Sequence, residues 1–302
     1  MARLKLYVFG TPRLEHDSQP VELNLRKALA LLVYLAVTGQ PHSRDALATL
    51  LWPESDQSEG RARLRRTLHR LNQSLGETIL DAGGDSIRLQ PGADLWLDSA
   101  TFRRHVTAGL PAAPDAPLAP ERVAHLVDAV GLYTDDFLSG FTLPDSPAFD
   151  EWQFFQRESL RQLYGQVLEQ LVQAYRSQSA WDQAIPYARR WVALDPLHEP
   201  AQRTLMRLYA WAGQPAAAAR QYQECARILA DELGAEPEQE TAALYEAIRT
   251  RQLAGRPPAW KRSKSGRARA SSTSTSAPLP TARASPTRSP GRGRCWSRRR
   301  TG

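Results

Sequence analysis

The chain has 302 residues, 42% of them hydrophobic and 24% charged, which is typical of a soluble globular protein of about two domains. Its net charge of +7 is unevenly distributed: residues 1–108 carry +2, residues 109–255 carry −8 and residues 256–302 carry +13. The net positive charge of the chain therefore comes from its C-terminal segment. It does not by itself indicate that the folded part binds nucleic acid.

Cysteine content and hydropathy exclude several classes of protein. Cys225 and Cys295 share no short spacing with each other or with a histidine pair, which argues against a disulfide framework and a cysteine zinc site. The longest apolar run, Ala28–Val37, has ten residues, whereas a membrane-spanning helix needs about 20. We therefore expect a soluble, cytoplasmic protein without membrane association, and no motif predicts a cofactor or a metal ion.

The N-terminal region has the alternation of short strands and then the pattern of a helix. Strands are predicted at residues 4–9, around Arg13–Glu15 and around Val21–Leu23. A nearly buried helix follows Asn24 and ends near Gly39, because Gly and Pro at 39–41 terminate it.

The next elements have the order of a winged helix-turn-helix. Ser43 is the predicted N-cap of a short helix through Leu51, and a third helix begins near Ser58 and runs to Leu75, closed by Gly76. The remaining predictions are a hairpin with strands at 78–80 and 86–89 and a further strand at Leu95–Asp98. The first domain is therefore predicted to be an α+β winged helix-turn-helix with a small N-terminal β-sheet, spanning residues 1–108.

The rest of the chain is predicted to be a linker, an all-α repeat domain and a tail. An Ala- and Pro-rich linker occupies 109–120, and residues 121–255 are helical. A shift of 34 residues superposes similar residues in this region: Leu171 on Leu205, Tyr175 on Tyr209, Ala184 on Ala218 and Leu194 on Ile228. That period predicts a tetratricopeptide-like stack. Residues 256–302 predict a disordered basic tail.

The third helix carries the most informative surface. Leucines at 64, 68, 71 and 75 form one stripe, and the stretch from Arg61 to Arg70 has five arginines and no acid. Opposite the stripe lie Ala62, Arg66, His69 and Gln73, with Arg63 and Arg70 on one flank and Arg65 on the other.

These side chains suit double-stranded DNA. Arginine pairs with guanine, and Gln or Asn with adenine, in the major groove, while other arginines bind phosphates. Base contacts in such domains come mainly from the N-terminal part of the helix, which favours Arg61, Ala62, Arg65, Arg66 and His69 over Gln73. Arg88, at the base of the hairpin, is a candidate for contacting the DNA backbone or a minor groove. The alternative interpretation is that the arginines only keep an exposed helix surface solvated. The position of the third helix, after two helices and before a Gly-Gly hairpin, favours DNA binding.

Three segments of the first domain carry a recognisable pattern: Trp52-Pro53, LRRTLHRLNQSLG at 64–76 and LDSATF at 97–102. Through these segments, residues 1–108 resemble the winged-helix domain of the SARP-like bacterial antibiotic-regulatory activators. Residues 109–252 resemble the bacterial transcriptional activator domain, through FLSGFTLPDSPAFDEW at 137–152, the repeat pair and LADELGAEPEQETAALYEAI at 229–248.

This resemblance implies binding to promoter direct repeats by side-by-side protomers, hence a possible homodimer on DNA, and activation through contacts with RNA polymerase. Two departures could alter the site that is recognised: Gly60, where the family usually has Ala, and Asn72-Gln73, where it often has basic residues.

Six aromatic residues could line a partner groove in the repeat domain, although core positions are favoured for most of them: Trp152, Phe154, Phe155, Trp181, Trp191 and Trp211. An enzyme is disfavoured because no catalytic motif occurs. The competing function is a repeat scaffold whose winged helix binds protein.

The tail, residues 256–302, is either a basic arm that adds nonspecific DNA affinity or the product of a shifted reading frame.

Overall fold

A computed structural model describes residues 4–23, 25–75, 79–111 and 118–253. The predicted tail, Gly76, Thr78 and half of the predicted linker lie outside the described residues. The elements follow in this order: β1 (Leu4–Tyr7), β2 (Arg13–His16), β3 (Gln19–Val21), α1 (Arg26–Thr38), β4 (His42–Ser43), α2 (Arg44–Leu51), α3 (Gln57–Leu75), β5 (Leu80–Asp81), β6 (Ser86–Leu89), β7 (Leu95–Leu97), α4 (Asp98–Gly109), α5 (Pro120–Leu132), α6 (Pro147–Ser177), α7 (Trp181–Leu194), α8 (Glu199–Trp211), α9 (Pro215–Leu233) and α10 (Gln239–Arg249).

The small N-terminal sheet is confirmed. It contains the first three strands and, in addition, β7. Leu4 and Leu6 point into the core while their neighbours in β1 are only half-buried, as alternation predicts. Asp17 and Ser18 adopt left-handed φ values of 48° and 65° and connect β2 to β3 in a two-residue turn. The strand order is β3-β2-β1-β7, with β7 parallel to β1 and the other pairs antiparallel.

Helices α1, α2 and α3 pack together and are followed by the predicted hairpin. Its strands β5 and β6 pair antiparallel, and β6 also pairs with the two-residue strand β4, which alternation did not predict. The second sheet therefore has the order β4-β6-β5. Because β4 directly precedes α2, this sheet fixes the start of α2 beside the hairpin.

The sequence prediction for Asp98 was wrong, because this residue begins α4 and does not extend the preceding strand. Its buried carboxylate accepts hydrogen bonds from the backbone N–H groups of Val8 at 2.9 Å, Phe9 at 3.0 Å and Ser99 at 2.7 Å. Burial raises the pKa of Asp98 to about 6, although the three donors act in the opposite direction. Asp98 thus joins the end of β1 to the beginning of α4.

The sheet and the helical region share one hydrophobic core. Phe9 forms an isolated antiparallel bridge with Phe137, and the N–H of Leu138 donates to the carbonyl of Val8 at 2.8 Å. Buried side chains from the sheet, from helices α1 to α5 and from most of α6, as far as Leu171, belong to the same contiguous cluster. Helix α4 packs closely on α5, where Gly109 lies against Leu126.

From α6 onward the fold is helical, and consecutive helices pack against each other. The 34-residue shift relates backbone geometry as well as sequence. The carbonyl of Tyr175 accepts a hydrogen bond from the N–H of Ala180 at 2.9 Å. In the same way, the carbonyl of Tyr209 accepts a hydrogen bond from the N–H of Gln214 at 2.8 Å. Ser179 and Gly213, also 34 residues apart, both have positive φ values, 56° and 78°. Within the described ranges, no helix is long and apolar enough to cross a membrane.

We expect Asp98→Ala to lower the free energy of unfolding by about 2–4 kcal/mol, because it leaves buried backbone N–H groups without an acceptor. Urea unfolding followed by circular dichroism measures the change. Asp182→Ala, at an exposed position of α7, serves as the control and should change stability by about 0.5 kcal/mol or less. An equal effect of the two substitutions would contradict the anchoring role of Asp98.

Two glycine substitutions test the close contact of α4 with α5. A Cβ on Gly109 would lie 2.5 Å from Cδ2 of Leu126, whereas a Cβ on Gly131 of α5 would meet nothing within 4 Å. We expect Gly109→Ala to destabilise the protein by about 1–3 kcal/mol and Gly131→Ala to stabilise it by about 0.4–1 kcal/mol. Thermal unfolding of both variants checks the opposite signs.

Candidate nucleic-acid interface

Helix α3 has one buried side and one exposed side. Four leucines spaced at helical intervals are buried in the core: Leu64, Leu68, Leu71 and Leu75. The exposed side chains are Arg63, Arg65, Arg66, His69, Arg70 and Gln73, while Arg61 and Ala62 are half-buried. The leucine stripe therefore orients the helix so that its basic and amide side chains face outward.

Local capping and one close contact fix α3 against α2. The predicted N-cap of α2 is confirmed, since Ser43 Oγ accepts from the N–H of Ala46 at 3.1 Å. At the start of α3, Asp56 Oδ1 accepts from the N–H of Glu59 at 2.8 Å. A Cβ on Gly60 would lie 3.3 Å from Cβ of Ala48, so glycine at this position relieves a tight contact between the two helices.

The first arginine of α3 is held by an acid of α2. Arg61 donates from Nε and Nη2 to the two carboxylate oxygens of Asp45 at 2.5 and 2.6 Å, and its Nη2 lies 3.5 Å from Asp85. The guanidinium of Arg61 lowers the pKa of Asp45, mainly through these hydrogen bonds. The bidentate pair connects α3 to α2, and the longer contact with Asp85 connects α3 to the hairpin.

Two more of the candidate arginines have acidic partners nearby. Arg63 donates from Nη2 to Glu59, one turn earlier on α3, at 2.6 Å. Arg88 on β6 donates from Nε to Asp81 on the paired strand at 3.1 Å. Both pairs are exposed, so solvent or a phosphate competes readily with these carboxylates.

The remaining candidates have no acidic partner among the described residues. In the part of the chain that the structure describes, none of these side chains takes part in a hydrogen bond or ion pair: Arg65, Arg66, His69, Arg70 and Gln73. Three of them are arginines, so the middle and C-terminal part of α3 has uncompensated positive charge. Its polar groups are available to an external anion or hydrogen-bonding partner.

The hairpin beside α3 is fastened to the first residue of α2. Arg44 donates from Nε to the carbonyl of Gly84 at 3.0 Å and from Nη2 to that of Ala82 at 2.6 Å. Gly84 has a left-handed φ of 68°, which glycine adopts without strain. Arg44 is not among the residues predicted from sequence, because an isolated arginine at a helix start carries no signal that it will reach a hairpin 40 residues away.

A cavity of about 490 Å³ lies along the flank of α3, between the start of α1 and residues 142–145. Its lining includes the exposed arginines Arg63, Arg66 and Arg70 together with Arg26 of α1. Arg26 was missed at the sequence level because it lies outside the third helix. The neighbouring Lys27 donates to the carbonyl of Leu51 at 2.5 Å and to Asp145 at 2.6 Å, which ties α1 to the segment before α6.

The aromatic residues of the helical region are partly as expected. Trp152 packs against Tyr34, Trp181 against Trp211, and these contacts agree with the preference for core positions. The expectation does not hold for Phe154 and Phe155, which are 53% and 60% exposed. On α6, Phe154 lies about 200° around the helix from Trp152, whereas Phe155, three residues after Trp152, lies only about 60° from it.

Residues 97–249 match the family model described as the bacterial transcriptional activator domain. The chain is 31% identical over 254 residues to transcriptional regulatory protein MoaR1 of Mycobacterium bovis (strain BCG / Pasteur 1173P2), covering 78% of each protein. It is 27% identical over 249 residues to regulatory protein AfsR of Streptomyces coelicolor, covering 81% of this chain but only 24% of AfsR.

A solved structure shares the fold. Mycobacterium tuberculosis EmbR, in complex with a low-affinity phosphopeptide, matches with a TM-score of 0.63 and 24% sequence identity, over 84% of this chain and 66% of EmbR. The domain match covers half of the chain, and the relatives are named as regulators. The chain therefore belongs to the SARP-like bacterial transcriptional regulators that carry the bacterial transcriptional activator domain.

Proposed function

We propose that this protein is a sequence-specific DNA-binding transcriptional activator in which α3 is the recognition helix. The observation that carries the proposal is the group of exposed, internally unpaired side chains opposite the leucine stripe of α3. A helix of this kind fits the major groove of B-DNA, where Arg reads guanine and Gln reads adenine. Membership in a family of transcriptional regulators supports the same function.

Helices α1, α2 and α3 with the β4-β6-β5 sheet form, in this proposal, a winged helix-turn-helix. The hairpin strands β5 and β6 are the wing, and Arg88 approaches the DNA backbone beside it. The proposal assigns DNA binding to residues 1–108, a linker to 109–120 and the repeat domain to 121–255. The family model begins somewhat earlier, at residue 97.

The ion pairs of α3 divide its candidate residues into two groups. Arg65, Arg66 and His69 are free to contact bases, and Arg70 and Gln73 extend the same surface toward the C-terminus of the helix. Arg61 mainly holds α3 on α2 through Asp45, and Ala62 offers only a small apolar contact. Arg63 and Arg88 reach phosphates by exchanging Glu59 and Asp81 for the nucleic acid.

The helical region is proposed to act as a tetratricopeptide-like platform for RNA polymerase. Support comes from the 34-residue relation between the turns at Ser179 and Gly213 and from the net negative charge of this half, which disfavours direct contact with DNA. The proposal also places two protomers side by side on a direct repeat.

The second candidate function is a repeat scaffold whose winged helix binds protein. The exposed side chains of Phe154 and Phe155 favour it.

Footprinting the full chain on genomic fragments tests the function and the repeat spacing together. We expect protected direct repeats, and an affinity for the protected duplex that falls steeply with salt. The slope of log K against log salt is about −0.9 for each phosphate contacted on B-DNA. A scaffold that binds protein would show no protected sequence and no such slope for duplex.

A single substitution tests base reading by α3. We expect Arg66→Ala to weaken binding to the protected site by about 1–3 kcal/mol, because an exposed guanidinium without an internal partner is lost. Fluorescence anisotropy with specific and scrambled duplexes measures the change.

The matched control is Arg227→Ala, an exposed arginine of α9 that is paired with Glu224 and Asp231. The affinity of this variant for the protected site should equal that of the wild type. Unchanged operator binding by a folded Arg66→Ala variant would remove Arg66 from the set of base-reading residues.

A further inference from the structure

Two histidines and an aspartate meet on the surface where α4 packs on α5. His105 projects from α4, and His125 and Asp128 project from α5. The two Nδ1 atoms are 3.2 Å apart, and Nδ1 of His105 lies 3.8 Å from Oδ2 of Asp128. One ligand atom from each residue falls within 4.8 Å of the others. The three groups therefore converge on one small volume.

The helix positions explain the convergence. His125 and Asp128 are three residues apart on α5 and so lie on the same face of that helix. Gly109, one turn beyond His105 on α4, lets the two helices approach closely at Leu126. A larger residue at 109 would separate the helices and His105 from its partners.

The spacing suits a tetrahedral transition-metal ion. Zinc binds imidazole nitrogen at about 2.0–2.1 Å, and two such ligands at a tetrahedral angle are about 3.3 Å apart. The distance between the Nδ1 atoms is close to this value. The carboxylate of Asp128 is 62% exposed, so its side chain is free to close the small remaining gap.

A hydrogen bond between the two rings is the alternative explanation of the short distance. In that arrangement one neutral imidazole donates its Nδ1–H to the lone pair of the other, and Asp128 has no necessary part. A cation instead uses both lone pairs and adds the carboxylate as a third ligand. The convergence of all three groups favours the cation.

We propose that His105, His125 and Asp128 form a binding site for a divalent transition-metal ion of the zinc class, with solvent in the fourth position. Bound metal would join α4 to α5 across the segment between them. The proposal concerns the junction of the sheet region with the helical region, and it does not depend on DNA binding. The two histidines are 20 residues apart in sequence and belong to no recognised motif, so the sequence alone does not predict a metal ion.

Titration of the metal-free full chain with Zn²⁺ in a calorimeter, and with Co²⁺ by visible absorption, tests the site. We expect saturable binding with an intense tetrahedral cobalt spectrum and a zinc-dependent rise in the unfolding temperature. His105→Ala and His125→Gln should each weaken the binding at least about tenfold and abolish the tetrahedral spectrum. Asp128→Asn should weaken binding while circular dichroism remains native.

The control is His198→Gln, a histidine at the start of α8 and outside the cluster, which should bind Zn²⁺ as the wild type does. Two results would overturn the proposal. One is equal Zn²⁺ affinity in the wild type and in both folded histidine variants. The other is an octahedral cobalt spectrum with binding at millimolar metal only.

Discussion

The carboxylate of Asp98 is buried where the N-terminal sheet meets the helical region, and it accepts hydrogen bonds from the backbone directly after β1 and from the start of α4. Directly beyond these bonds, Phe9 bridges to Phe137, so the sheet continues into the segment that leads to α6. The two regions therefore share a close-packed core, and such cores do not deform continuously. This constraint fixes the basic helix α3 relative to α5 and α6, with Lys27 and Asp145 adding a surface connection.

Electrostatic pairing then divides α3 along its length. The acids that cap and orient the helix lie near its N-terminus, where negative charge also complements the helix dipole. Asp45 and Glu59 form ion pairs with Arg61 and Arg63, whereas the arginines from the middle of the helix onward have no carboxylate partner among the described residues. The same arrangement that positions α3 thus moves the available contacts toward Arg65, Arg66 and His69. A charge count along the sequence does not reveal this shift, because the partner of Arg61 is on another helix.

Periodicity predicts those parts of the fold that depend on local spacing. The leucine stripe of α3, the cap at Ser43 and the hairpin strand at 86–89 are all visible in the sequence, because each follows from residues within one element. The partner of β7, the beginning of α4 at Asp98 and the close contact at Gly109 depend on residues about 17 to 90 positions away. The exposure of Phe154 and Phe155 likewise depends on what α6 packs against. At the site, residue types are predictable from sequence, but their ion pairs are not.

Helix α4 concentrates the connections between the two regions. Its first residue anchors β1, its buried Phe102 contacts Phe9 and Tyr133, and its last residue lies against Leu126 of α5. His105 in between faces His125. These contacts occupy successive turns of one short helix, so α4 joins the N-terminal sheet to α5 along its whole length.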